Sequence, residues 1–275
     1  MATGSAVIVN DQLLTDVAEL LRETGEREIL PRFRLLRDDE IREKAPGELV
    51  TVADGAAEAR LLATLGALIP GALFVAEESW EPGSTRFSEL VEAEAVWVVD
   101  PLDGTRNFAA GEPSFAIMVA LLRRGETVAS WIHAPVDGWT VTAQHGAGAE
   151  LGGDRLHVSK RTEPSSMHGA IHDHFMPPDL RRRVNEALPS IGRSSTTGCA
   201  AHEYVQVARG IKDFALYYRT LPWDHVPGDL IVREAGGTVR QYDGRPFEPL
   251  AARPGLLAAP NAAAWDALHA LFIGN

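Results

Sequence analysis

The stretch Val99-Asp100-Pro101-Leu102-Asp103-Gly104-Thr105-Arg106-Asn107-Phe108 decides how this chain is read. It follows Ala95 to Val99, an apolar run of strand length that ends abruptly in acid. Proline there halts the ladder and fixes the backbone direction, and Asp103-Gly104 is a turn signal. Two aspartates three residues apart on a turning chain can aim at one point, with the Leu102 carbonyl between them. Hard divalent cations such as Mg²⁺ take oxygen ligands of this kind. An Asp-Gly pair alone reads as a plain turn; the longer stretch is more specific.

Two further acidic positions lie outward from it. The apolar run Ala72 to Ala76 ends in Glu77-Glu78, which alone reads as a solvated loop entry. Asp224, in Leu221-Pro222-Trp223-Asp224, reads as a cap on a helix from His225 to Glu234, with its second oxygen free for a metal. Upstream, Leu13, Leu14, Val17, Leu20 and Leu21 repeat with the helical period. Thr51-Val52-Ala53-Asp54 leads into a second helix, with Asp54 at the N-cap position, and Pro70-Gly71 stops it.

Downstream of Phe108, the segments Phe115 to Leu122, Val128 to Ile132, Trp139 to Ala143, Ala149 to Leu151 and Arg155 to Val158 read as an antiparallel meander. After about Ser165 the pattern alternates helix and strand. Helices are expected at Pro178 to Leu188, Ala200 to Ala208, His225 to Glu234 and Ala262 to Phe272, with a strand at Phe214 to Tyr218. The expected organisation is an α+β half, 1–165, carrying the metal-binding loops and the meander. A smaller α/β half, 166–275, completes the active site.

The 275 residues suffice for one or two structural units, and 45% hydrophobic with 23% charged residues is ordinary for a soluble protein. The net charge of −12 repels nucleic acid and anionic membranes, and Arg181-Arg182-Arg183 is the densest cationic run. A lone cysteine, Cys199, excludes a disulfide framework and fits a reducing compartment. Met1 to Asn10 lacks the pattern of a signal peptide, and Leu61 to Ala76 is too short to span a membrane, so the expected location is cytoplasmic.

Rival chemistries find little support. The chain carries no P-loop, no G-x-G-x-x-G and no G-x-S-x-G, and position 206 is Gln where a zincin helix after His202-Glu203 needs histidine. His168, His172 and His174 cluster around Asp173, and a metal role for them carries little weight beside the strand-end carboxylates.

Taken together, Phe74-Val75-Ala76-Glu77-Glu78-Ser79, the central decamer and Trp223-Asp224-His225-Val226-Pro227-Gly228 resemble the three signature segments of the inositol monophosphatase family. Thr51-Val52-Ala53-Asp54 resembles its upstream segment and Val232 to Gly237 its closing helix. The resemblance implies a layered αβαβα sandwich, a homodimer, and Mg²⁺-dependent, lithium-sensitive hydrolysis of a small phosphorylated metabolite. It implies two or three Mg²⁺ ions, held by Glu77, Asp100, the Leu102 carbonyl, Asp103 and Asp224. Gly104 and Thr105 would offer N–H groups to the phosphate. Thr105 and Asp54 would orient the attacking water, and Glu77 would take part in catalysis through the metals.

Gly198-Cys199-Ala200 resembles the segment lining the substrate's alcohol side, with His202 projecting nearby. Members acting on inositol phosphate carry a glutamate shortly before Trp-Asp. Here the matching Tyr217-Tyr218-Arg219-Thr220 is two residues closer to it, and Arg219 favours a second anionic group over a neutral polyol. Arg106-Asn107-Phe108 is closer to the inositol branch than to the Lys-Glu-Phe of 3′-phosphonucleotide members. Histidinol phosphate, fructose 1,6-bisphosphate and 3′-phosphonucleotides remain alternative substrates. A regulatory or binding protein that keeps the fold is the alternative of another class.

Overall fold

The computed structural model describes residues 9–45, 47–81, 87–251 and 253–274; most of the Met1 to Asn10 segment lies outside them. Asn10 starts helix α1 (Asp11–Thr24), its side chain accepting the Leu13 N–H at 2.9 Å. A hairpin of β1 (Ile41–Ala45) and β2 (Glu48–Thr51) follows. It leads directly into α2 (Val52–Leu68). The cap of α2 is Thr51, not Asp54: Thr51 Oγ1 accepts the Ala53 N–H, and Asp54, one turn in, reaches back to the Thr51 N–H at 2.8 Å. This reciprocal arrangement satisfies two N–H groups that would otherwise lack partners.

Next come β3 (Leu73–Ala76), α3 (Phe87–Glu92), β4 (Val96–Asp103) and the short α4 (Thr105–Ala109). The meander comprises β5 (Ala116–Arg123), β6 (Glu126–Ala134), β7 (Trp139–Gln144), β8 (Gly148–Leu151) and β9 (Asp154–Arg155). The last strand is shorter than expected. Leu156 N–H still bonds Ala149, but Val158 N–H turns away to Ala235. The second half runs β10 (His168–His172), α5 (Pro178–Ala187), β11 (Arg193–Ser194), α6 (Ala200–Ala208), β12 (Phe214–Tyr217) and α7 (Pro222–Glu234). It ends in β13 (Thr238–Gln241), β14 (Leu256–Ala259) and α8 (Ala262–Phe272). Helix α7 begins three residues earlier than expected because Pro222 occupies its first position with its φ already helical. Asp224 therefore lies inside the first turn rather than capping it, and the cap is Leu221.

Strands β3 to β9 form a seven-stranded sheet in sequence order, with β3 parallel to β4 and the rest antiparallel. The second sheet has the order β11-β10-β12-β14-β13. Its β13 and β14 are antiparallel neighbours with no helix between them among the described residues, which breaks the expected alternation.

Side-chain alternation builds the layers. Trp97, Val99, Ile117, Val119 and Leu121 pack with Val17, Leu21, Leu61 and Leu65 of α1 and α2. On the opposite face Val96, Val98, Met118, Ala120 and Leu122 meet Tyr204 of α6 and Val226, Leu230 and Ile231 of α7. Ala215, Tyr217, Leu256 and Ala258 of the second sheet join that same cluster. Their neighbours Phe214, Leu216, Leu257 and Ala259 turn outward to Val184 of α5 and Trp265 and Leu268 of α8. The fold is thus the layered αβαβα sandwich. Gly228 allows the close approach of α7 to α6, since a Cβ there would lie 2.1 Å from the Tyr204 ring. Among the described residues no helix is long and apolar enough to cross a membrane.

Candidate active site

Strand β4 is buried along its length and delivers Asp100 into the gap between the sheet and α7. Pairing with β5 is regular as far as Asp100, slips, and resumes at Asp103, so the Pro101-Leu102 segment bulges. Asp100 Oδ1 accepts the Leu102 N–H at 2.9 Å, closing a local turn. Gly104, with φ +89, lets the chain reverse into α4. A Cβ there would stand 2.8 Å from the Ser114 carbonyl oxygen.

Glu77 follows β3, and Asp224 enters from the first turn of α7. Burial pushes the Asp100 and Asp224 carboxyls well above the ordinary carboxylate range, and the negative charges of Glu77 and Asp103 push both further. Asp103 rises to about 6, chiefly through burial, although the Cys199 thiol and the Ala201 N–H, at 2.8 and 2.7 Å, oppose the rise. Among the described residues no three such side chains are already closed around one point. Acids from three distant stretches, Glu77, Asp100 with Asp103, and Asp224, nevertheless line one cavity.

The second layer begins on α2. Asp54 is fully buried, and burial raises it to about 6 despite hydrogen bonds from Thr51 and Thr105. Thr105 Oγ1 lies 3.0 Å from Asp54 Oδ1 and 2.9 Å from the Leu102 oxygen, so its single proton is shared between them. One turn along α2, Glu58 accepts the Glu78 N–H at 2.8 Å and fixes the loop after β3. Lys44 of the hairpin sets Nζ 2.7 Å from both Glu77 Oε1 and Glu78 Oε1. Burial works to lower the Lys44 pKa, but these two carboxylates raise it overall. Glu78 rises to about 7, mainly by burial.

A cavity of about 620 Å³ opens over these groups, lined by Glu77, Asp100, Leu102, Asp103, Gly104, Thr105, Gly198, Arg219 and Asp224 among others. A larger hollow of about 950 Å³ beside α1 and α3 contains none of the strand-end aspartates. The first is therefore the candidate site.

Two expected substrate contacts, Cys199 and Ala200, are placed differently, as is His202 near them. Cys199 is 1% exposed, its thiol directed at Asp103 rather than into the cavity. Ala200 starts α6 outside the lining. His202 is buried, edge-on to Trp139 with Nε2 3.3 Å from the Phe115 oxygen, because the first turn of α6 faces the meander. His168 bonds Ser195 while His172 stacks on Tyr217, so the histidines do not meet at a point.

Several contributors carry no local sequence signal. Buried Glu203 accepts the Thr197 N–H and Oγ1–H, and buried Lys212 donates to Glu203 and to the Ser195 oxygen at 2.8 Å. Together they hold the segment that presents Thr196 and Gly198 to the cavity. His225 donates Nε2–H to the Arg219 oxygen and accepts from the Tyr204 hydroxyl, both at 2.8 Å, with burial lowering its pKa to about 3. That pair of bonds seats the Arg219 loop.

The donor set suits hard divalent cations: it is carboxylate and carbonyl oxygen, crowded and buried, and it already attracts the Lys44 ammonium. A sequence profile described as the inositol monophosphatase family matches residues 10–274. The chain is 33% identical over 244 residues to the chloroplastic phosphatase IMPL1 of Arabidopsis thaliana, covering 85% of this chain and 64% of that one. It thus spans just under two thirds of that relative's length. Identity is also 33% over 212 residues to Nus factor SuhB of Salmonella typhimurium, covering 74% and 76% of the two chains. The extragenic suppressor protein suhB of Bartonella henselae superposes with a TM-score of 0.84 at 26% identity, covering 96% and 100%. The chain belongs to the inositol monophosphatase family, whose members are generally metal-dependent, and is a phosphomonoesterase.

Proposed function

We propose that this chain hydrolyses a small phosphorylated metabolite with two or three Mg²⁺ ions bound per site. Glu77, Asp100, the Leu102 carbonyl, Asp103 and Asp224 would hold them, with Asp100 central to the set. Bound there, Mg²⁺ supplies Lewis acidity that makes water a nucleophile near neutral pH and offsets charge on the phosphoryl group and the leaving oxygen. The carrying observation is that Glu77, Asp100, Asp103 and Asp224 line one cavity, where burial and neighbouring negative charge hold Asp100 and Asp224 above the ordinary carboxylate range and cations would relieve both.

The chain's own groups do the remaining work. Backbone N–H groups of Gly104 and Thr105, at the turn into α4, receive phosphate oxygens. Asp54, with its pKa near 6, is matched to accept a proton close to neutral pH, and Thr105 Oγ1 relays the attacking water's proton toward it. Glu58 and Lys44 keep Glu77 and Glu78 from swinging away.

Inositol monophosphate is the reference substrate. Fructose 1,6-bisphosphate, histidinol phosphate and 3′-phosphonucleotides are the alternatives, and a relative from Thermotoga maritima bears the name fructose-1,6-bisphosphatase/inositol-1-monophosphatase. A homodimer, inhibition by lithium and a cytoplasmic location belong to the same proposal. The test is phosphate release from these esters, with and without Mg²⁺, by wild type and Asp100→Asn. Release only by wild type with Mg²⁺ is expected; equal rates in every sample overturn the reading.

Relatives named Nus factor motivate a second reading, a regulatory protein acting by binding a macromolecule. RNA or protein retained equally by wild type and Asp100→Asn, in a chain that releases no phosphate, would favour it. The net charge of −12 argues against direct contact with nucleic acid.

A further inference from the structure

The cavity has two unlike ends. One carries the strand-end carboxylates. At the other, the turn of the β1–β2 hairpin meets side chains that present N–H donors. Arg106, in the first turn of α4, donates Nη2–H to the Gly47 oxygen at 2.8 Å. Gly47 has φ +80, and the space its missing Cβ would fill lies 3.4 Å from Arg106 Nη2 and 3.5 Å from His174 Nε2. Guanidinium and imidazole therefore converge on one point. His174 sits edge-on to Phe175 at 4.6 Å, and the Arg219 guanidinium lies over the Phe175 ring, 3.8 Å from its centroid. Arg219 Nη1 pairs with Glu48, the neighbour of Gly47. All of these residues line the same cavity.

Arg219 is held on three sides. Its carbonyl is bonded by buried His225, its guanidinium is stacked, and Glu48 fixes one nitrogen. A guanidinium has five N–H groups. Among the described residues, the Arg219 guanidinium donates only to Glu48 and the Arg106 guanidinium only to the Gly47 oxygen, so both keep donors for a guest. Asp173, the other acid on this wall, already faces Arg181 at 3.9 Å.

We infer that Arg106, His174 and Arg219 form a second anion subsite that binds an oxyanion (carboxylate or phosphate) on the leaving group of the substrate. The inference rests on the phosphatase reading above and narrows it: preferred substrates are phosphate monoesters with a second negative group, not neutral polyols. The reacting phosphate occupies the carboxylate end, where cations neutralise it. The second anion lies against a stacked guanidinium, which is weakly hydrated and matches two oxygens at once.

Matched esters test this. Glycerol 3-phosphate and 3-phosphoglycerate share a skeleton and differ by a carboxylate; fructose 1-phosphate and fructose 1,6-bisphosphate differ by a second phosphate. With Mg²⁺, wild type should favour the charged member of at least one pair by about 10-fold or more in kcat/KM, the scale of a charge-assisted bond. The pair showing the preference tells carboxylate from phosphate. Arg219→Gln and the exposed-site variant Arg106→Gln, each checked for folding by circular dichroism, should bring that ratio toward one. Ratios near one in wild type, or unchanged in both variants, overturn the subsite.

A calorimetric titration of inorganic phosphate into the protein in EDTA separates the two failures, because the acidic end repels phosphate without cations. Binding that weakens about 10-fold or more in Arg219→Gln supports the subsite even if no ester is hydrolysed. Ester hydrolysis without charge preference and without this binding leaves the phosphatase reading standing and removes the subsite.

Discussion

Replacing Lys212 with methionine removes one partner of a buried ion pair and strands the other. Lys212 is 2% exposed and Glu203 fully buried, so solvent cannot replace the lost ammonium. Breaking such a pair from one side costs about 3–5 kcal/mol. For a chain of this size that corresponds to a fall in Tm of roughly 10 °C. Ser195 also loses a donor to its oxygen, which loosens the segment presenting Thr196 and Gly198 to the cavity. The expected result in urea unfolding is an earlier midpoint with unchanged slope, and in steady-state assays a raised KM. The double variant Glu203→Gln/Lys212→Met removes both charges while Gln keeps an acceptor for Thr197, and should return to within about 2 kcal/mol of wild type. A loss under about 1 kcal/mol in Lys212→Met, or a double variant worse than the single one, refutes the reasoning.

Three shorter predictions follow from the same contacts. Gly104→Ala forces a side chain into a left-handed conformation and against the Ser114 oxygen. The expected cost is about 2–5 kcal/mol with loss of phosphate release; wild-type stability and turnover would show that the turn is not required. Cys199→Val removes the donor to Asp103 while Cys199→Ser keeps one, so the Mg²⁺ dissociation constant by calorimetry should rise about 10-fold or more in the valine variant and stay near wild type in the serine variant; equal constants refute this. Asp54, Asp103 and Glu78 are raised to about 6, 6 and 7, so the folded chain binds protons more tightly than the unfolded one, and their stabilising contribution is lost as pH rises from about 4 to 7. His133 and His225, lowered to about 4 and 3, lose theirs as pH falls below about 6.5, the opposite trend. The difference in Tm with and without Mg²⁺ isolates the carboxylates: it should be small at pH 4.5 and grow to pH 7.5, and a constant difference refutes this.

Much of the site was legible because its acids sit at strand ends and turns. Asp100-Pro101-Leu102-Asp103-Gly104 announces the oxygen donors, but Pro101 bulges the strand instead of halting it, because β4 resumes pairing with β5 at Asp103. The meander was legible from apolar runs separated by glycine turns. The hairpin Ile41–Thr51 was not, since Ile-Arg-Glu-Lys-Ala is polar and partly exposed and lacks alternation. Lys44, Gly47 and Glu48, which face the cavity from that hairpin, were missed with it. Glu58, Tyr204, Lys212 and His225 act through partners distant in sequence or on another element, which no spacing reveals. Cys199 is expected on the substrate side only by resemblance, with His202 nearby, yet the entry into α6 turns both inward.

The central claim is that Glu77, Asp100, Asp103 and Asp224 enclose divalent cations. The most direct measurement is anomalous scattering from crystals of this protein grown with Mn²⁺ in place of Mg²⁺. At least two peaks are expected among these four side chains and the Leu102 carbonyl, lost or reduced in Asp100→Asn. Peaks only elsewhere, or none at saturating Mn²⁺, would contradict it.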